Sequence, residues 1–101
     1  MTGEDAPGAG AATWWGLIVE WHFSAIALDH IRGTREEALE ALRERALRYQ
    51  PKHPANPTRR LVYRDGDTFL LILETFGDNY RFRFRVAELL WDSAPRPGSA
   101  G

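Results

Sequence analysis

No cysteine occurs in these 101 residues, so disulfide staples and thiolate chemistry are excluded. Lysine is almost as scarce: Lys52 is the only one, and the basic side is otherwise arginine. Codon usage in a GC-rich genome accounts for that imbalance most simply. No run reaches the roughly 18 apolar residues of a membrane span, and the first charges are Glu4 and Asp5 rather than a basic leader. A cytoplasmic, soluble protein without membrane contact is expected. The formal net charge of −1 offers a polyanion no long-range attraction. Gly-rich phosphate loops and Gly-flanked serine nucleophiles are also missing. The three histidines, His22, His30 and His53, form no pair at strand i,i+2 or helical i,i+4 spacing. Asp29 and His30, being adjacent, would point to opposite faces of a strand, and Asp65 and Asp67 flank a turn glycine. These absences argue against an enzyme, a metal site and a cofactor.

Bulky aromatics are present in quantity: four Trp, five Phe and three Tyr. Residues 1–12 and 94–101 are small, flexible and without hydrophobic period, so they are expected to form unstructured arms around a single domain over 13–93. A body of about 80 residues buries about 60–65% of its unfolded surface, and the aromatics supply enough area for one core without staples.

The clearest pattern is Tyr80-Arg81-Phe82-Arg83-Phe84-Arg85-Val86, where apolar and basic residues alternate strictly. A pleated strand sends the aromatics to one face and the arginines to the other, whereas a helix would scatter both sets. Residues 13–23 alternate too. Trp15, Leu17, Val19, Trp21 and Phe23 form an apolar face, with Trp14, Gly16, Ile18, Glu20 and His22 opposite. Residues 24–32 fit either a strand, with Ile26 and Leu28 on one face, or a short helix. A strand hairpin turning near residues 22–24 is preferred, because one strand from 13 to 31 would be unusually long.

Gly33-Thr34 opens a helix. Thr34 and Glu37 form a capping box, Glu36 and Glu37 place negative charge in the first turn, and Leu39, Leu42, Ala46 and Tyr49, with Ala38, make the buried stripe. Pro51 stops it, and residues 50–58 form an extended proline-interrupted connector.

A meander follows, with strands over 60–64, 68–76 and 79–86. A two-residue turn at Gly77-Asp78 pairs Leu73 with Phe82, Leu71 with Phe84, Phe69 with Val86 and Glu74 with Arg81. At the first turn, a two-residue Asp65-Gly66 loop would place Arg60 on the core face. A bulged three-residue turn over Asp65, Gly66 and Asp67 pairs Leu61 with Leu71 and Tyr63 with Phe69 instead, and is expected, with Gly66 at positive φ. Residues 86–92 read as a short helix or turn folding Leu89, Leu90 and Trp91 back onto the domain. The fold class is therefore α+β: an N-terminal strand pair and a three-stranded meander in an antiparallel sheet, one long helix on one face, and a short C-terminal helix.

The order helix, three strands, helix from Arg35 to Trp91 resembles double-stranded-RNA-binding domains in topology. That family carries a lysine-rich start to its last helix, where this chain has Val86-Ala87-Glu88, so no residue role is carried across. A strand pair followed by Gly33-Thr34-Arg35-Glu36-Glu37-Ala38-Leu39 looks like the front half of HicB-type antitoxins, through residues that also make a capping box.

Two surfaces follow from the strand faces. If both strand groups join one sheet, Trp14, Ile18, Leu70 and Ile72 form an apolar patch rimmed by Arg83 and Arg85, the composition of a protein interface. Its plain alternative is cover by the chain's own arms. The row Arg81, Arg83, Arg85 also suits phosphates, although arginines on an open sheet more often keep it soluble and pair across strands. A non-catalytic interaction module is expected, binding another protein chain or a second copy as a homodimer. Nucleic-acid binding through the arginine row is the alternative.

Overall fold

The computed structural model describes residues 13–94; the expected arms at 1–12 and from 95 onward lie outside the described residues. Five strands form one antiparallel sheet: β1 (Trp14–Trp21), β2 (Ser24–Arg32), β3 (Arg59–Asp65), β4 (Thr68–Glu74) and β5 (Asn79–Glu88). Their order is β2-β1-β5-β4-β3, so the N-terminal hairpin and the meander join edge to edge at β1 and β5. One helix, α1 (Arg35–Arg48), crosses one face, which makes the fold α+β as expected. No described helix is long and apolar enough to cross a membrane.

Local chemistry explains α1. Glu37 N donates to Thr34 Oγ1 at 3.1 Å, and Thr34 N donates to Glu37 Oε1 at 2.8 Å, so two amides that no helical carbonyl can reach are satisfied reciprocally. Ala38, Leu42 and Ala46 are fully buried on the sheet. Small residues at two of these three positions let the helix axis approach closely. Beneath them lie Leu17 and Val19 of β1, Phe82 and Phe84 of β5, and Phe69, Leu71 and Leu73 of β4.

The preferred strand reading of residues 24–32 is what the structure shows, with Trp21 opposite Ser24 across a two-residue turn. His22 supplies the positive φ, 54°, that such a turn needs, in a place where no glycine or asparagine signals it. Phe23, expected on the core face, stands fully exposed in that turn. Further along β2 the register shifts so that Leu17 faces Asp29 and Ile18 faces Ala27, leaving Leu28 as the extra residue of a bulge.

The meander departs from expectation in both registers. Across β4 and β5, Leu73 faces Tyr80, Leu71 faces Phe82 and Phe69 faces Phe84, while Glu74 faces Asn79 rather than Arg81. The shift is by two residues, which leaves every apolar side chain on its expected face. Thr75 closes the longer loop, with its amide and hydroxyl both donating to Asp78 O at 2.9 and 3.0 Å. Across β3 and β4 the bulged three-residue turn is absent. Asp65 faces Thr68, the turn is Gly66-Asp67, and Gly66 takes the expected positive φ of 63°.

That register turns Arg60, Val62 and Arg64 toward the helix side and Leu61 and Tyr63 away from it. The arginines have partners there. Arg60 Nη2 donates to the carbonyls of Ala46 and Leu47, at 3.4 and 3.0 Å, at the negative end of α1. Arg64 lies over the ring of its neighbour Phe69, at 5.3 Å. Arg60→Ala should therefore cost about 1 kcal/mol, whereas Arg59→Ala, which loses only an exposed 3.8 Å ion pair with Glu74, should cost about 0–0.5 kcal/mol. Equal costs in urea denaturation would contradict a capping role for Arg60.

The short C-terminal helix is replaced by strand. Val86, Ala87 and Glu88 pair with Leu17, Gly16 and Trp15 of β1, and Leu89 N donates to Trp14 O at 2.8 Å. Leu90 and Trp91 are 85% and 79% exposed, so they do not fold back as cover. With a strand there, the topological likeness to double-stranded-RNA-binding domains ends before its last element.

Candidate interaction surface

One face of the sheet carries α1; no described element crosses the other. Side chains reach this open face from alternate positions of every strand. Ile18 is directly opposite Arg85, Leu70 opposite Arg83, and Ile72 opposite Arg81. Trp14, four residues before Ile18, lies on the same side. All six residues expected to form the protein-binding surface, Trp14, Ile18, Leu70, Ile72, Arg83 and Arg85, thus share one face.

Their arrangement differs from a rimmed patch. Because β5 is the central strand, Arg81, Arg83 and Arg85 run between the apolar groups rather than around them. On one side stand Trp14 and Ile18. On the other, the observed β3 register adds Leu61 and Tyr63, opposite Ile72 and Leu70, to make a four-residue apolar group. Tyr63 is 50% exposed. These two residues were missed because a three-residue turn would have turned them inward. The available signal was the polar pair Arg60 and Arg64, whose destination lay on a helix distant in sequence.

Two of the three central arginines are engaged. Arg83 donates to Asp65 Oδ2 at 3.2 Å and to Thr68 Oγ1 at 3.0 Å, and Arg85 Nε donates to Glu20 Oε2 at 3.2 Å. Arg81 forms no ion pair among the described residues and is exposed. A phosphate backbone would therefore meet one unengaged guanidinium and two whose carboxylates it must displace. Alongside this row, a half-open depression of about 450 Å³ lies between Glu20, His22, Leu70, Asp78, Arg81 and Arg83. It is lined by both signs of charge.

Among the described residues there is no group of His, Asp and Glu that could hold a metal ion. His30 is in the edge strand, with its amide bonded to Asp29 Oδ1 at 2.8 Å. Elsewhere His53 Nε2 lies 3.1 Å from the Tyr80 hydroxyl, on the proline connector. The eight ion pairs of the described residues are all partly or largely solvent-exposed, each worth about 0–1 kcal/mol, so they tune surface complementarity more than stability. No protein-family model, curated protein or solved structure matches this chain.

Proposed function

We propose that this protein is a non-catalytic interaction module whose open sheet face binds another protein chain, with a second copy of itself as the partner the chemistry fits best. The observation that carries this reading is the cluster Leu61, Tyr63, Leu70 and Ile72 on a sheet face that no described element covers. Two of the three arginines beside it are already matched, Arg83 with Asp65 and Arg85 with Glu20, which leaves Arg81 as the one unengaged cation of the row among the described residues. A face carrying both signs is complementary to its own copy after a two-fold rotation, whereas a polyanion would want an excess of unpaired cations. Size is adequate. Five strands about 4.8 Å apart and seven residues of about 3.3 Å give a face of roughly 24 by 23 Å, or about 550 Å² in projection. Its accessible area is larger than its projection, which brings it near the roughly 800 Å² per partner of a standard interface. Two such faces stacked about 10 Å apart would form a sandwich.

Light scattering at low and high salt tests the proposal. A dimer that survives high salt is expected for wild type, and Ile72→Glu should convert it to monomer, because a carboxylate would then be buried against Leu61 and its counterpart. Leu47→Glu, on the exposed side of α1, should leave the mass unchanged. A wild-type monomer at every salt concentration would remove self-association. If the same chain then bound an oligonucleotide with an affinity falling steeply in salt and dependent on Arg81, Arg83 and Arg85, the face would be a nucleic-acid surface instead.

A further inference from the structure

On the helix side of the sheet, α1 ends before covering the corner formed by the β1–β2 turn. The chain leaves the helix at Tyr49 with φ −64° and ψ 130° and runs into the proline connector, leaving a half-open groove of about 320 Å³. Phe82, 3% exposed, is part of its lining. Trp21 stacks on Phe82 with ring centroids 5.8 Å apart, and Tyr49 meets Phe82 edge-on at 5.6 Å, so the aromatic walls hold one another in place. Ile26 lines the groove while remaining 57% exposed, which marks the side open to solvent. The connector is tied down by the contact between His53 and the Tyr80 hydroxyl.

The charge at this groove is one-sided. Lys52, the chain's only lysine, lines it together with His53, and none of its described lining residues is an Asp or Glu. The depression on the open sheet face, by contrast, carries both signs. We propose that the groove binds a small aromatic carboxylate, its ring against Trp21 and Tyr49, which Phe82 holds from beneath, and its carboxylate on the Lys52 ammonium. The volume is at the lower end of small-molecule sites, which suits one or two fused rings. An aromatic face gives the ring more than area burial, and the charge-assisted contact selects an acid over its neutral analogue. Because the groove lies across the sheet from Ile72, this site stands or falls separately from the interaction surface.

The test is a titration of the full chain with naphthoate and, in parallel, with its neutral amide, followed by NMR at the Trp21 indole N–H and the Ile26 methyl groups. Saturable shifts at both probes are expected with naphthoate, bound about fivefold to tenfold more tightly than the amide. Lys52→Ala should bring the acid down to the affinity of the amide. Ile26→Asp, at an exposed position that leaves the core intact, should weaken naphthoate by about fivefold or more through like charge. Equal affinities for acid and amide with no effect of Lys52→Ala would overturn the assignment, as would the absence of saturable shifts at Trp21. Shifts that vanish as protein concentration rises would mean that a second copy takes the groove, and would overturn it equally.

Discussion

Phe84→Ala is expected to remove about 3–5 kcal/mol of stability, the largest loss of any single truncation in this fold. Phe84 is completely buried at the centre of the middle strand, where it faces Phe69 across β4 and Val19 across β1. The Tyr49 ring meets it edge-on at 5.2 Å from the end of the helix. Every layer of the domain thus touches this side chain, and a sheet hydrogen-bonded on both sides cannot collapse into the space it leaves. A domain of this size has about 5–15 kcal/mol in total, so the variant should approach or cross the threshold of folding. With a urea slope of about 1–3 kcal/mol/M, the midpoint should fall by roughly 1–5 M. Leu90→Ala, at an 85% exposed position, should stay within about 0.5 kcal/mol of wild type. A Phe84→Ala midpoint within the error of that control would contradict the core described above.

Gly33→Ala should cost about 2–4 kcal/mol, in the range of a core truncation, although it adds only a methyl group. Gly33 joins β2 to α1 with φ at 151°, a conformation L-residues rarely adopt. Its amide donates to Thr13 O at 2.9 Å, and its carbonyl accepts the Trp15 indole N–H at 2.9 Å, so the backbone cannot relax without breaking either contact. A Cβ placed there would run into the Glu37 carboxylate, the half of the capping box that accepts from Thr34 N. Strain and cap loss are separable by a double-mutant cycle. In a Glu37→Ala background the methyl group has no carboxylate to displace, so the cost of Gly33→Ala should shrink by about 1 kcal/mol, leaving the backbone strain. An unchanged cost in that background would assign the whole effect to φ.

The proposed dimer and the groove ligand rest on opposite sides of the sheet, and their variants can be combined. Ile72→Glu should leave naphthoate binding intact, and Lys52→Ala should leave the solution mass intact.

Wherever the signal was a period or a cap, the chain could be read directly. The capping box of Thr34 and Glu37, the stop at Pro51, the alternation from Tyr80 to Val86 and the positive φ of Gly66 depend only on neighbours within a few residues. So does the two-faced character of β1. The candidate surface was legible to the same extent: the six residues expected to share a face do so, because side-chain alternation is independent of which strand lies alongside. Four things were decided only in three dimensions. A register slip of two residues between β4 and β5 preserves every face, so hydrophobic pattern could not choose between a two-residue and a four-residue loop. The inward turn of Arg60 and Arg64 became favourable only through the helix carbonyls and the Phe69 ring that receive them. That choice in turn moved Leu61 and Tyr63 onto the open face. Residues 86–88 became strand because β1 lies beside β5 and offers them a ladder, a neighbour some 70 residues away in the chain.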